Sequence, residues 1–279
     1  MHCSGYVALL ALVGVVGCGA GAGASAAGGG GANDARGAAG TCVERQHLTS
    51  AELAQSPRGD RDLEVLAAAL GGTVAADPAI YARLARDVAA IRAAEPSLTT
   101  VTYRTGHDGR TLMLEFGNTD ARDRILAGHE PTFEALRPRL APIAVNLAYS
   151  WVVVGFERVY DLVRLREYYR RISGVSDVGL NVMAGGGPSM CVERDDDDAA
   201  WTYWVLDAGG DCPAGCTTMR VFGFRTAPSG ALERLGASDT ETAARLDPAS
   251  EAALQRCVDH ARERAARPTE VCDALLAPP

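Results

Sequence analysis

Lysine is missing from this chain: all 27 basic residues are arginine, set against 35 acidic ones for a net charge of −8. Without lysine, Gly185-Gly186-Gly187 cannot serve as a phosphate loop, which needs a Gly-Lys-Ser/Thr run opening a helix. The negative balance excludes nucleic acid and an anionic bilayer surface as main partners. The apolar run over residues 6–16 is too short to span a bilayer, which takes about 20 residues. Gly-x-Ser-x-Gly is also missing, and Gly174-Val175-Ser176-Asp177 lacks the context of a nucleophile elbow. The five histidines sit in turns or near the termini, so no catalytic constellation stands out. No cofactor and no resident metal are expected.

What the N-terminus does carry is an address. The apolar run ends in Val15-Val16-Gly17-Cys18. These four residues, in this order and at this depth, resemble the lipobox of bacterial lipoproteins. The resemblance implies cleavage before Cys18, acylation of its thiol and a chain anchored to the membrane of the cell envelope. Gly19, where an aspartate would signal inner-membrane retention, implies the outer membrane. The segment departs from the pattern in having no Lys or Arg ahead of the apolar run. An ordinary secretory peptide cleaved among residues 20–27 is the alternative. Residues 19–40 are rich in Gly, Ala and Ser without apolar periodicity, and read as a tether reaching about 25 Å.

Past the tether the sequence reads as an α+β protein. It predicts antiparallel sheets covered by helices, then a C-terminal β-meander and a terminal helical hairpin. Helices are expected over residues 61–70 and 78–94, the second capped by Asp77-Pro78 with Ile80, Leu84, Val88 and Ile91 on one face. Two strands, 98–104 and 110–116, are expected around the turn 106–109. A helix over 119–127 and one interrupted at Pro138 follow. Strands over 143–149 and 151–156, a helix over 159–172 and a strand over 175–182 suggest two βαβ-like halves. The meander is expected at 189–194, 201–207, 217–226 and 231–235, and helices at 248–266 and from 269. The divisions read are a signal peptide (1–17), the tether (18–40), an N-terminal α+β part (41–140), a C-terminal part with the meander (141–236) and a helical tail (237–279).

The meander holds the candidate sites. Gly210-Asp211-Cys212-Pro213-Ala214-Gly215-Cys216 reads as a tight turn that a Cys212–Cys216 disulfide closes. A redox pair is the alternative, but the spacing is not Cys-x2-Cys and no helix start follows to lower a thiol pKa. This motif, with the aromatic strand before it and Val221-Phe222-Gly223-Phe224 after it, is similar to a module in uncharacterised bacterial lipoproteins and secreted proteins. That resemblance implies no particular activity. Maturation at Cys18 leaves Cys42, Cys191, Cys212, Cys216, Cys257 and Cys272, an even set in an oxidising compartment. Cys257 with His260 and Cys272 could suggest zinc. A Cys257–Cys272 disulfide stapling the helical hairpin fits the compartment better, which leaves Cys42 with Cys191. Asp195-Asp196-Asp197-Asp198 reads as a solvated turn rather than a calcium loop, whose ligands alternate around a glycine.

Trp201, Tyr203 and Val205 alternate with Thr202, Trp204 and Leu206, so the strand is apolar on both faces. It is either sandwiched or presents aromatic surface to a partner. On the second reading Trp201, Tyr203, Trp204 and Asp211 form a binding edge, with one of the aromatics exposed. The sequence thus points to an envelope-anchored lipoprotein that binds a protein or peptide or plays a structural part, with no nucleic-acid partner. An enzyme of unrecognised class and a metal or redox module are the alternatives.

Overall fold

The computed structural model describes residues 59–99, 107–182, 189–195, 199–209 and 218–266. They form an α+β fold with two antiparallel four-stranded sheets.

Helix α1 (Arg61–Gly71) starts at Asp60, whose carboxylate accepts from the Asp62 and Leu63 amides, and ends on Gly72 at φ 68°. Helix α2 (Pro78–Ala94) is capped in the same way by Asp77. A 3-10 turn (Pro96–Leu98) follows where the sequence suggested the start of a strand; Leu98 is buried against α2 instead.

The first sheet is built from β1 (His107–Phe116), β2 (Pro142–Ala148), β3 (Trp151–Phe156) and β4 (Val175–Val182) in the order β2-β3-β1-β4. Helices α3 (Thr119–Leu126) and α4 (Pro131–Leu140) connect β1 to β2, and α5 (Leu162–Tyr169) connects β3 to β4. Two interleaved β-α-β halves in an antiparallel sheet of this order make the ferredoxin-like arrangement. His107, Asp108 and Gly109 belong to β1 rather than to a turn. Gly109, at φ 68°, lets Val65 and Val159 close on the backbone where a Cβ would collide with both. Helix α4 runs through Pro138 to Leu140 rather than breaking there, held by buried Phe133, Leu136 and Leu140. Helix α5 is shorter than its apolar periodicity suggested. Asp161 caps it, and Val159 and Tyr160 lie before it with the Tyr160 amide bonded to the Gly109 carbonyl.

Leu112, Leu114, Val152, Val154, Phe156 and Val178 point to one side of this sheet, into a core closed by α3, α4 and α5. The other side carries half-buried Met113, Trp151 and Val153 with exposed Glu115, Asn146 and Asp177. The Trp151 ring lies across this face against Gly179, 3.5 Å from where a Cβ would stand.

The second sheet is a meander, β5 (Ser189–Arg194), β6 (Trp201–Gly209), β7 (Thr218–Thr226) and β8 (Leu232–Asp239), in chain order. The last strand is longer than expected, passing Gly236 to end at Asp239. Helices α1 and α2 cover one face of this sheet, and α6 (Pro248–Ala266) covers the other. Residue 140 lies between strands that pair with one another. Strand β1 pairs with β3 and β4 across it, while α1 and α2 belong to the core of the second sheet. Short-range periodicity marks where elements lie but not which distant elements they join. Val74 and Ala75 sit in the first core and the adjacent Ala76 in the second, so the α1–α2 loop pins the two together.

Candidate functional site

The aromatic strand β6 does not form a surface. Trp201, Tyr203 and Trp204 are 3%, 0% and 2% exposed, so the expectation of an exposed aromatic on a binding edge is not met. The strand is sandwiched: Trp201, Tyr203 and Val205 face α1 and α2, while Trp204 faces α6. Opposite Trp204 in the sheet stands Gly223, and a Cβ there would run into the indole ring.

Beneath β6 lies a polar group that the helix pattern concealed. Asp87 projects from the apolar face of α2 and is 1% exposed. Its carboxylate accepts from the Tyr203 hydroxyl at 2.9 Å and the Thr226 hydroxyl at 2.6 Å. The Arg86 guanidinium reaches it at 2.7 Å, and Arg83 lies 3.6 Å away with its guanidinium over the Trp201 ring. Burial, reinforced by the Asp87 charge, pushes the Tyr203 hydroxyl far above its ordinary pKa. A carboxylate accepting two hydroxyls and facing two arginines in a closed core is satisfied and inaccessible, and it locks α2 to the sheet.

The cysteines are corrected in part. Cys191 on β5 bonds Cys257 on α6, with Cα atoms 6.1 Å apart, so neither the Cys257–Cys272 nor the Cys42–Cys191 pairing holds. The reason is the position of α6: it lies on the outer face of the meander, which brings Cys257 over β5. With its sulfur in that bond, Cys257 has no thiolate to offer a zinc ion beside His260 and Cys272. Cys18, Cys42, Asp211, Cys212, Cys216, Cys272 and Asp196 to Asp198 lie outside the described residues. Asp195 accepts from Arg225 at 2.7 Å. A cleft between β7, β8 and the start of α6, lined by Met219, Asp239, Arg245 and Glu251, holds about 60 Å³. Ligand pockets begin at roughly 300 Å³.

The surface that does stand out is the outer edge of the first sheet. Among the described residues the large exposed apolar side chains are Leu126 (39%), Leu147 (49%), Ile143 (68%) and Tyr149 (98%), and all but the first belong to β2 or its turn. Edge strands normally carry charges that keep other strands away. The sequence of β2, Pro-Ile-Ala-Val-Asn-Leu-Ala, has none. Each other sheet edge does: Asp177 in β4, Glu193 and Arg194 in β5, and Glu233, Arg234 and Asp239 in β8.

The turn from β2 to β3 adds a conformational signal. Ala148 pairs with Trp151, leaving Tyr149 and Ser150 as a two-residue connection, and Tyr149 stands at φ 56°. The left-handed region costs a non-glycine residue about 1–2 kcal/mol, and a two-residue turn ordinarily places glycine or asparagine there. Pro142 has no amide to donate, and a register shift in the pairing with β3 lies between it and Ala144. Among the described residues, 143–148 have a strand on one side only, β3, and carry no charge. Comparison with protein-family models, with curated proteins and with solved structures returns no match.

Proposed function

We propose that this chain is a lipid-anchored bacterial envelope protein whose working surface is the β2 edge, where it captures an extended protein segment by strand addition. The observation that carries the reading is the coincidence, on one strand, of the uncharged edge and the exposed Ile143, Leu147 and Tyr149. An added strand would take hydrogen bonds from the β2 main chain, and the apolar side chains would select its residues at alternate positions. Anchoring rests on the lipobox resemblance at Val15-Val16-Gly17-Cys18, with residues 19–40 as the spacer that holds the folded part off the outer membrane. Nothing in this reading requires a cofactor or a catalytic group.

Panning a phage library of extended peptides against the full chain carrying Cys18→Ser tests it. Recovered peptides should alternate apolar and polar residues and bind Leu147→Lys roughly tenfold more weakly. Peptides that bind both proteins equally, or no enrichment, would defeat the reading. The anchor is tested apart: the wild-type chain should partition with membranes and gain the mass of its acyl groups, and Cys18→Ser should do neither.

A further inference from the structure

We infer that the strand added to β2 is the β2 strand of a second copy, paired antiparallel about a two-fold axis through Val145. The inference rests on the strand-capture reading and names its partner. Self-pairing brings a strand's side chains beside their own copies, so a net charge on an edge strand repels its twin. Strand β4 carries a net negative charge through Asp177, and β8 does so through Glu233 and Asp239 against Arg234. Copies of a chain with net charge −8 approach at least cost on an edge without net charge: β5 balances Glu193 against Arg194, and β2 has no charge to desolvate at all.

The order of residues along β2 fits a twin. With Val145 opposite the partner's Val145, Ile143 comes to lie opposite the partner's Leu147, and Leu147 opposite the partner's Ile143. The two exposed aliphatic side chains of the strand then cover each other. Tyr149 reaches beyond the pairing at each end, against the segment that precedes the partner's Pro142. An axis perpendicular to the sheet keeps the helix layers of both copies on one side. The faces carrying Trp151, Val153 and Met113 then join into one surface on the other, with eight strands in a continuous sheet.

One pair of short strands is a small interface, so the free protein should dimerise weakly. Copies tethered to one membrane meet at an effective concentration that short linkers raise to the millimolar range. Dimerisation on the membrane is what the edge provides.

Sedimentation velocity of the full chain carrying Cys18→Ser, over a concentration series up to about 1 mM, tests this. The expected result is a reversible dimer. Its dissociation constant should rise roughly tenfold or more in Leu147→Lys and again in Asn146→Lys, which places the charge on the opposite face of the same strand. Melting curves and circular dichroism should match the parent protein, and Asn146→Lys serves if Leu147→Lys does not fold. A dimer that survives both substitutions overturns the inference, because the copies then meet elsewhere. A monomer throughout that still captures β2-directed peptides overturns the second copy and leaves strand capture standing. A monomer that captures no peptide ends both.

Discussion

Asp87 shows how much one residue can decide. It occupies the apolar stripe of α2 beside Leu84, Val88 and Ile91, where a helical wheel reads a carboxylate as a flaw. In the fold it gathers Tyr203, Thr226, Arg83 and Arg86. Asp87→Ala should cost about 3 kcal/mol in chemical denaturation, since it removes the shared acceptor of the Tyr203 and Thr226 hydroxyls and leaves a buried space. Tyr203→Phe should cost about 2 kcal/mol, and the double variant less than the sum. Asp161 invites a second test. Burial raises its carboxyl pKa despite the opposing Arg164 charge and the amide bonds of the cap. The native state therefore holds this proton more tightly than the unfolded chain. The stability it confers is complete below the unfolded pKa of about 4 and is lost as pH rises through the raised native value. Asp161→Asn keeps a cap acceptor without the charge, so it should gain on the wild type in urea titrations as pH rises above the unfolded pKa of about 4. Tyr149 is the third residue of this kind. Tyr149→Gly should stabilise the chain by about 1 kcal/mol in chemical denaturation while weakening the strand addition proposed for β2.

Elements were legible where chemistry is local. The aspartate cap of α2, the apolar run of β3 and the length of α6 could all be read from short windows of sequence. The aromatic strand β6 was also legible as apolar on both faces. Its neighbours were not, because Trp204 lies over Gly223 through a register that only the folded sheet defines. Gly223→Ala should drive the Cβ into the indole and cost about 2 kcal/mol by overpacking, with a change in near-ultraviolet circular dichroism as Trp204 shifts. The edge character of β2 was hidden for a related reason. Pro142 to Ala148 reads as an ordinary strand, and its position at the border follows from β1 pairing with β3 rather than with it. The turn-like composition at 106–109 misled for the opposite reason: Gly109 serves a close approach of Val65 and Val159 within a strand.

At the scale of the whole molecule, the disulfide and the α1–α2 loop hold together parts far apart in the sequence. Cys191–Cys257 closes a loop of 66 residues, so replacing both cysteines by serine should cost about 4 kcal/mol and loosen α6 first. Hydrogen exchange should then rise in α6 and around Trp204 while the first sheet stays protected. The placement of α1 and α2 carries a different consequence, one of timing. Their apolar faces are covered by β5 to β8, which arrive about a hundred residues later, whereas the β1–β4 unit is contiguous. A chain delivered N-terminus first presents two uncovered helices for the whole time the middle unit takes to appear and fold. Those helices must be sheltered, or kept unfolded, until Phe224 has emerged.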